Sequence, residues 1–278
     1  KEYKFLKRTC LNIPLLKSML KYSLPGIPNM LSWWVNSVSD RYIVLLFCGS
    51  GLTGLYTAAS KLPAMVNIVT SIFQQAWQYS TAKEIDEKDN KEFFTNVFKV
   101  YSIICLLICT LLIILNKLIC SLLLKSDFYT AWRFVPLLLL AATFGCYSSY
   151  FGTFYNAIKR NKMLMVSTVV GAIVNISLNF IIIPFLGGVG AAIATAVSYA
   201  IVLLIRVVNI SKVIQLEISY SKWIIQILSV TVFAILASFI ESKLLYSISV
   251  IPFAIILIVN LSFIRKGCKI CLEKIKKH

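Results

Sequence analysis

The stretch LPGIPNMLSWWVNSVSDR, residues 24–41, is apolar along most of its length, yet Asn29, Trp33, Asn36 and Asp40 recur in it at spacings of 4, 3 and 4. That period puts all four on one face of an α-helix, with Ser37 at its border. The apolar run continues to residue 47, giving a block at 22–47 that is long enough to cross roughly 30 Å of hydrocarbon. A polar stripe inside such a block is energetically expensive, which makes it the first candidate for function.

The rest of the chain has the same texture. Of 278 residues, 59% are hydrophobic and only 14% charged, and the mean hydropathy is +0.82. A soluble domain carries about 25% charged residues. The composition excludes an ordinary soluble enzyme, a disordered chain and a collagen-like repeat. Seven further apolar blocks follow, at 54–80, 98–124, 132–157, 164–185, 189–208, 223–241 and 245–264. The pattern predicts an all-α integral membrane protein of eight spans.

The net charge of +17 sits between these blocks. Alternate gaps (1–21, 81–99, 158–163, 206–222 and the tail after 264) hold 22 of the 28 Lys and Arg. The opposite gaps hold Lys117, Lys125, Arg133 and Lys243, while Arg41 and Lys61 lie inside blocks. By the positive-inside rule both ends are cytoplasmic, and the excess charge reflects topology and lipid headgroups rather than nucleic acid. Lys1 begins the chain without an initiator methionine or the apolar core of a signal peptide. The start reads as a cytoplasmic loop cut from a longer chain. The resulting division is a cytoplasmic segment at 1–21, a six-helix unit at 22–208, two additional spans at 209–264 and a basic cytoplasmic tail at 265–278.

Several chemistries drop out. The one histidine is His278, so histidine acid–base catalysis and His-ligated metals are not expected. Cys48, Cys105, Cys109, Cys120 and Cys146 lie in or beside apolar blocks and read as small buried hydrophobes; Cys268 and Cys271 form a lone CxxC, a weak zinc signal. No GxxxxGK[ST] occurs. The glycines at 187, 188 and 190 lack a third fingerprint glycine and read as a tight turn between two spans. Asn-x-Ser at 175, 209 and 260 falls in spans or on the cytoplasmic side, where it carries no glycosylation meaning. The outer loops are too short to carry a catalytic domain. No catalytic residue, metal or cofactor is implied.

The second block repeats the first block's stripe: Asn67, Ser71, Gln74 and Gln78 at 4, 3, 4, with Gln75 beside them. Two adjacent stripes read as the walls of a water-filled cavity, against the alternative of polar glue between packed helices. Asp40, Arg41 and Lys61 sit at similar depth in the outer third. Meeting there, they would carry a net charge of +1 suited to an anion such as phosphate; the alternative is an internal ion pair that fixes packing. On regular helices Arg41 and Lys61 point roughly 100° or more away from the stripes. Asn175 and Asn179 form an i, i+4 pair with Ser167 and Gly171 on the same face, and the block at 189–208 is rich in small residues that favour close helix contact. The aromatics of the fourth block (Tyr147, Tyr150, Phe151, Phe154 and Tyr155) suit core packing or an interface belt better than a sugar path.

Four motifs in order carry a family resemblance. Residues 24–41, GLYTAASKLP at 54–63, FQQAWQ at 73–78, and NISLN at 175–179 followed by GVGAAIAT at 188–195 resemble the second half of bacterial lipid-linked oligosaccharide flippases, the polysaccharide exporters of the MATE-like (MOP) superfamily. The resemblance covers roughly residues 15–210. It implies the second lobe of a two-lobe transporter plus two extra helices, paired with a missing N-terminal lobe or a partner chain in the bacterial plasma membrane. It also implies a substrate, an undecaprenyl-pyrophosphate-linked oligosaccharide flipped to the outer leaflet for surface polysaccharide such as O-antigen, with coupling to an ion gradient. On this reading Arg41, Lys61, Asn36, Asn67, Gln74, Gln75 and Gln78 line the substrate pathway, and Asp40 is the candidate for ion coupling.

The competing readings are a multidrug or small-solute exporter of the same superfamily, an integral-membrane glycan-pathway enzyme, and a non-transporting membrane subunit. A drug exporter is expected to prefer a net acidic cavity, and an enzyme to need larger outer loops.

Overall fold

The computed structural model describes residues 12–85, 87, 90–124, 126–214, 216–240, 250–263 and 265. Most of the basic N-tail, Lys243, the Cys268/Cys271 pair and His278 lie outside the described residues.

The described chain is all helical. The elements are α1 (Ile13–Ser23), α2 (Gly26–Ala59), α3 (Lys61–Glu84), α4 (Asn90–Leu123), a 3-10 helix (Ser126–Arg133), α5 (Val135–Ala157), α6 (Asn161–Ile210) and α7 (Tyr220–Phe239), followed by a shorter apolar helix α8 (Val250–Phe263). By length and composition α4, α5, α6, α7 and the run through α1–α3 can cross a membrane. Large apolar side chains such as Met30, Leu46, Ile72, Phe185 and Ile258 cover the outside. This is a multi-pass membrane protein.

Two glycines turn long helices back on themselves. Gly49 breaks α2 with φ 80°, and Gly187 breaks α6 with φ 54°, three residues after Pro184. Positive φ is a conformation that glycine adopts without a steric penalty. The turns touch: a Cβ on Gly187 would stand 3.2 Å from Leu52. Each break separates two apolar limbs, at 26–48 and 50–59 in α2 and at 161–186 and 188–210 in α6. The reversal between α5 and α6 at the opposite end is tighter still. Lys159 takes φ 57°, while Arg160 N donates to the Tyr155 carbonyl (2.8 Å) and Lys159 N to the Asn156 carbonyl (3.2 Å). This is a Schellman end.

Packing divides the bundle into two halves joined by α5 and α6. α2 packs along α6, and α3 along α5, but α2 and α3 touch little beyond their junction at Ser60. They splay apart and leave a cleft between them. Behind α3, Trp77 stacks on Tyr150 (4.6 Å, 13°) and Phe73 on Tyr101 (4.4 Å, 19°). Trp223 of α7 abuts Phe98, Tyr147 and Phe151. The fourth-block aromatics are buried core. α8 is tied to α7 by Asn260 Nδ2 donating to Gln226 Oε1 (3.0 Å), an interhelical amide bond of the kind that associates helices in lipid.

Candidate functional site: a polar seam and a polar cleft

The stripe on α2 faces α6. Thr168 Oγ1 donates to Asn29 Oδ1 (2.7 Å), and Ser39 Oγ to Asn175 Oδ1 (2.9 Å). Asp40 is buried at the top of this seam. Its carboxylate accepts from Tyr56 OH (2.9 Å), Asn179 Nδ2 (2.6 Å) and Thr195 Oγ1 (2.5 Å). Three donors from three separate stretches solvate the charge that burial strips of water. Around it several polar atoms have no partner: both amide atoms of Asn36, Nδ2 of Asn175 and Oδ1 of Asn179. Asn36 stands one helical turn below Asp40 and is 1% exposed. Carboxylate and amide oxygens are the ligand types that hard cations take. Among the described residues no group of three or more His, Cys, Asp or Glu could hold a metal ion.

The cleft between α2 and α3 holds a cavity of about 600 Å³. α3 supplies Asn67, Ser71, Gln74, Gln75 and Gln78; α2 supplies Asn29, Trp33 and Ser37; α5 and α6 form the floor with Ser149, Gly152, Thr153, Tyr199 and Arg206. The second stripe therefore lines one wall. Thr153 Oγ1 donates to Gln74 Oε1 (3.3 Å), leaving Gln74 Nε2 without a partner. Asp and Glu are absent from the described lining.

The three charges expected to meet do not. Asp40 points into the seam, whereas Arg41 and Lys61 are exposed. Arg41 Nη2 donates instead to Ser60 Oγ (3.3 Å), the residue before Lys61. The reason is angular: consecutive residues on a helix differ by about 100°, so Arg41 cannot share the face of Asp40. Asn36 is in the seam rather than the cleft.

A second correction concerns Arg206. The charge pattern places it in a cytoplasmic gap, but α6 continues to Ile210 and carries Arg206 inside the bundle, 1% exposed. Its Nε donates to Ser167 Oγ (3.0 Å), Nη1 to the Ser148 carbonyl (2.7 Å) and Nη2 to Thr168 Oγ1 (2.8 Å). A basic residue at the edge of an apolar block looks like the start of a loop; its partners come from 38 to 58 residues away.

Long apolar helices, paired glycine turns and a polar cleft inside an apolar shell form a fold that the chain shares with solved transporter structures. Solved structures of that fold match it: the lipid II flippase MurJ in an inward closed conformation (TM-score 0.65, 20% identity, 93% of this chain and 57% of that one), and an outward-facing multidrug resistance MATE family transporter (TM-score 0.57, 20% identity, 78% and 52%). In sequence the chain is 21% identical over 211 residues to the probable low-salt glycan biosynthesis flippase Agl15 of Haloferax volcanii. That match takes in 74% of this chain and 44% of Agl15, so the chain spans about half the length of the relatives it matches. No protein-family model matches it.

Proposed function

We propose that the chain is the second lobe, with two extra helices, of a flippase that moves an undecaprenyl-pyrophosphate-linked oligosaccharide from the cytoplasmic to the outer leaflet of the bacterial plasma membrane. One observation carries this reading. The polar cleft adjoins an apolar cavity of about 650 Å³ between α3, α4 and α5, and the two share Thr70 and Cys146 in their walls. A polar chamber beside an apolar one suits an amphiphile, with sugar and phosphate in the first and the polyprenyl chain in the second. A cationic drug would find no carboxylate in the described lining of the cleft, which weighs against the exporter reading.

In this proposal the glycine turns face outward and the basic reversal at 158–163 faces the cytoplasm, with eight spans and both ends inside. The lobe rocks against a partner lobe in an alternating-access cycle. The coupling cation, a proton or a small hard ion, is taken by Asp40 with the oxygens of Asn36 and Asn179. Asn67, Gln74, Gln75 and Gln78 contact the sugars, and Arg41 and Lys61 form a cationic patch toward the outer end. The test is complementation of a flippase-null strain by the full native polypeptide. Restored surface polysaccharide supports the reading. Loss of export in Arg41→Ala or Lys61→Ala, with the protein still inserted, supports the outer cationic patch; full activity in both removes the patch from the pathway.

A further inference from the structure

Arg206 is a buried cation without a counter-charge among the described residues. Its three acceptors, Ser167 Oγ, Thr168 Oγ1 and the Ser148 carbonyl, are all neutral. The other buried charged side chain among the described residues is Asp40, whose oxygens are taken by Tyr56, Asn179 and Thr195. Thr195 and Arg206 are eleven residues apart on one limb of α6, about 16 Å along its axis. No ion pair closes over that distance. An uncompensated guanidinium in a low-dielectric interior is strongly unfavourable. An apolar side chain of similar length would pack α5 against α6 without that penalty. The charge therefore asks for an anion that the described residues do not provide.

The surroundings show where that anion enters. Arg206 lies at the floor of the polar cleft, next to Gly152. A Cβ on Gly152 would stand 2.8 Å from Nη1, so the glycine is what lets the guanidinium lie against α5 at this edge of the cleft. The following residue, Thr153, holds Gln74 by its Oε1. That leaves Nε2 of Gln74, a residue of the lining, as a second donor without a partner, buried beneath the cleft surface. Two of the guanidinium's five N–H groups are likewise unused. A fork of donors on a fixed cation beside an amide N–H is the recognition chemistry of a phosphate oxygen cluster.

We propose that Arg206, assisted by Gln74, binds the phosphate or pyrophosphate group of a polyprenyl-linked ligand whose chain occupies the adjoining apolar cavity. This rests on the flippase reading for its ligand class, but it is a statement about binding and is tested as one. The probe is farnesyl pyrophosphate, titrated calorimetrically into the full native polypeptide in neutral detergent, with inorganic pyrophosphate and phosphatidylglycerol as competitors. Arg206→Gln is expected to weaken binding at least tenfold. Arg206→Lys, which keeps the charge but loses the fork, is expected to fall between the two. Gln74→Glu, which places a negative charge in the cleft and leaves the Arg206 hydrogen bonds untouched, is expected to weaken binding at least tenfold.

Unchanged affinity in Arg206→Gln overturns the proposal. If that variant does not fold, unchanged affinity in Gln74→Glu overturns it instead. Displacement by phosphatidylglycerol at equal concentration makes the anion a bulk headgroup and overturns the polyprenyl assignment; displacement by inorganic pyrophosphate alone supports the phosphate site. The two readings fail separately. Arg206-dependent binding without translocation of a lipid-linked oligosaccharide leaves the site standing and removes the flippase. Translocation with binding indifferent to Arg206 does the reverse.

Discussion

The two sides of α5 and α6 are built on different terms. Behind the cleft, α3, α4, α5 and α7 close over stacked rings whose polar atoms are largely answered: Trp77 Nε1 donates to the Tyr150 carbonyl (3.3 Å), Tyr150 OH to the Phe94 carbonyl (2.9 Å) and Tyr101 OH to the Cys146 carbonyl (3.2 Å). Trp223 Nε1 is the exception in that cluster. In front, the α2–α6 seam buries a carboxylate and leaves amide atoms of Asn36, Asn175 and Asn179 without partners. Buried polar groups in stable interiors are almost always paired. The aromatic side is a scaffold, and the seam gives up stability in a way that packing alone does not require.

The largest effect is expected on the scaffold. Trp77 is 2% exposed and touches Phe73, Phe93, Phe94, Tyr150 and Phe154. Trp77→Ala leaves a cavity at the junction of three helices and is expected to cost about 3–5 kcal/mol. In detergent this shows as a steep fall in melting temperature and in yield of folded protein. A melting temperature within a degree of the native protein would mean the rings do not hold α3 in place, and the contrast between the two sides would collapse.

Next comes Asp40→Asn in the seam. The shape is kept, and an amide still accepts hydrogen bonds through its oxygen, so the protein is expected to insert and fold. Transport is expected to drop at least about tenfold, a loss of 1.4 kcal/mol or more in the driving step. Proteoliposomes loaded with a lipid-linked oligosaccharide and given an ion gradient provide the measurement. Native rates in Asp40→Asn would return the carboxylate to a packing role.

The scaffold and the seam differed in how far they could be read from sequence. Hydrocarbon thickness selects blocks of about twenty apolar residues, so the helices and the turn at Gly187 were legible. The two stripes were legible as periodicity, and the second lines the cleft. What failed was anything decided by contact at long range. Asp40 finds Asn179 and Thr195 from 139 and 155 residues away. Its neighbour Arg41, adjacent in sequence, turns outward. Arg206 was hidden by its place at the edge of an apolar block near Asn209, Ser211 and Lys212, where a helix end and a continuing helix look alike.

The smallest effect separates the two accounts of the seam most sharply. Asn36 is 1% exposed, and neither of its amide atoms has a partner. Its Nδ2 sits 3.8 Å from where a Cβ on Gly171 would be, facing α6. Leucine keeps the branched skeleton, is somewhat bulkier, and has no polar group to desolvate. If the seam only packs helices, Asn36→Leu removes an unpaired amide and is expected to stabilise the protein by about 1 kcal/mol, with transport unchanged. If Asn36 Oδ1 serves the ion at Asp40, the same variant melts higher and transports less, and its dependence on the ion gradient weakens. A gain in stability with a loss in transport assigns the unpartnered amides to function. A gain in stability with unchanged transport removes the reason for placing a cation beside Asp40, because the seam would then be a packing surface that happens to be polar.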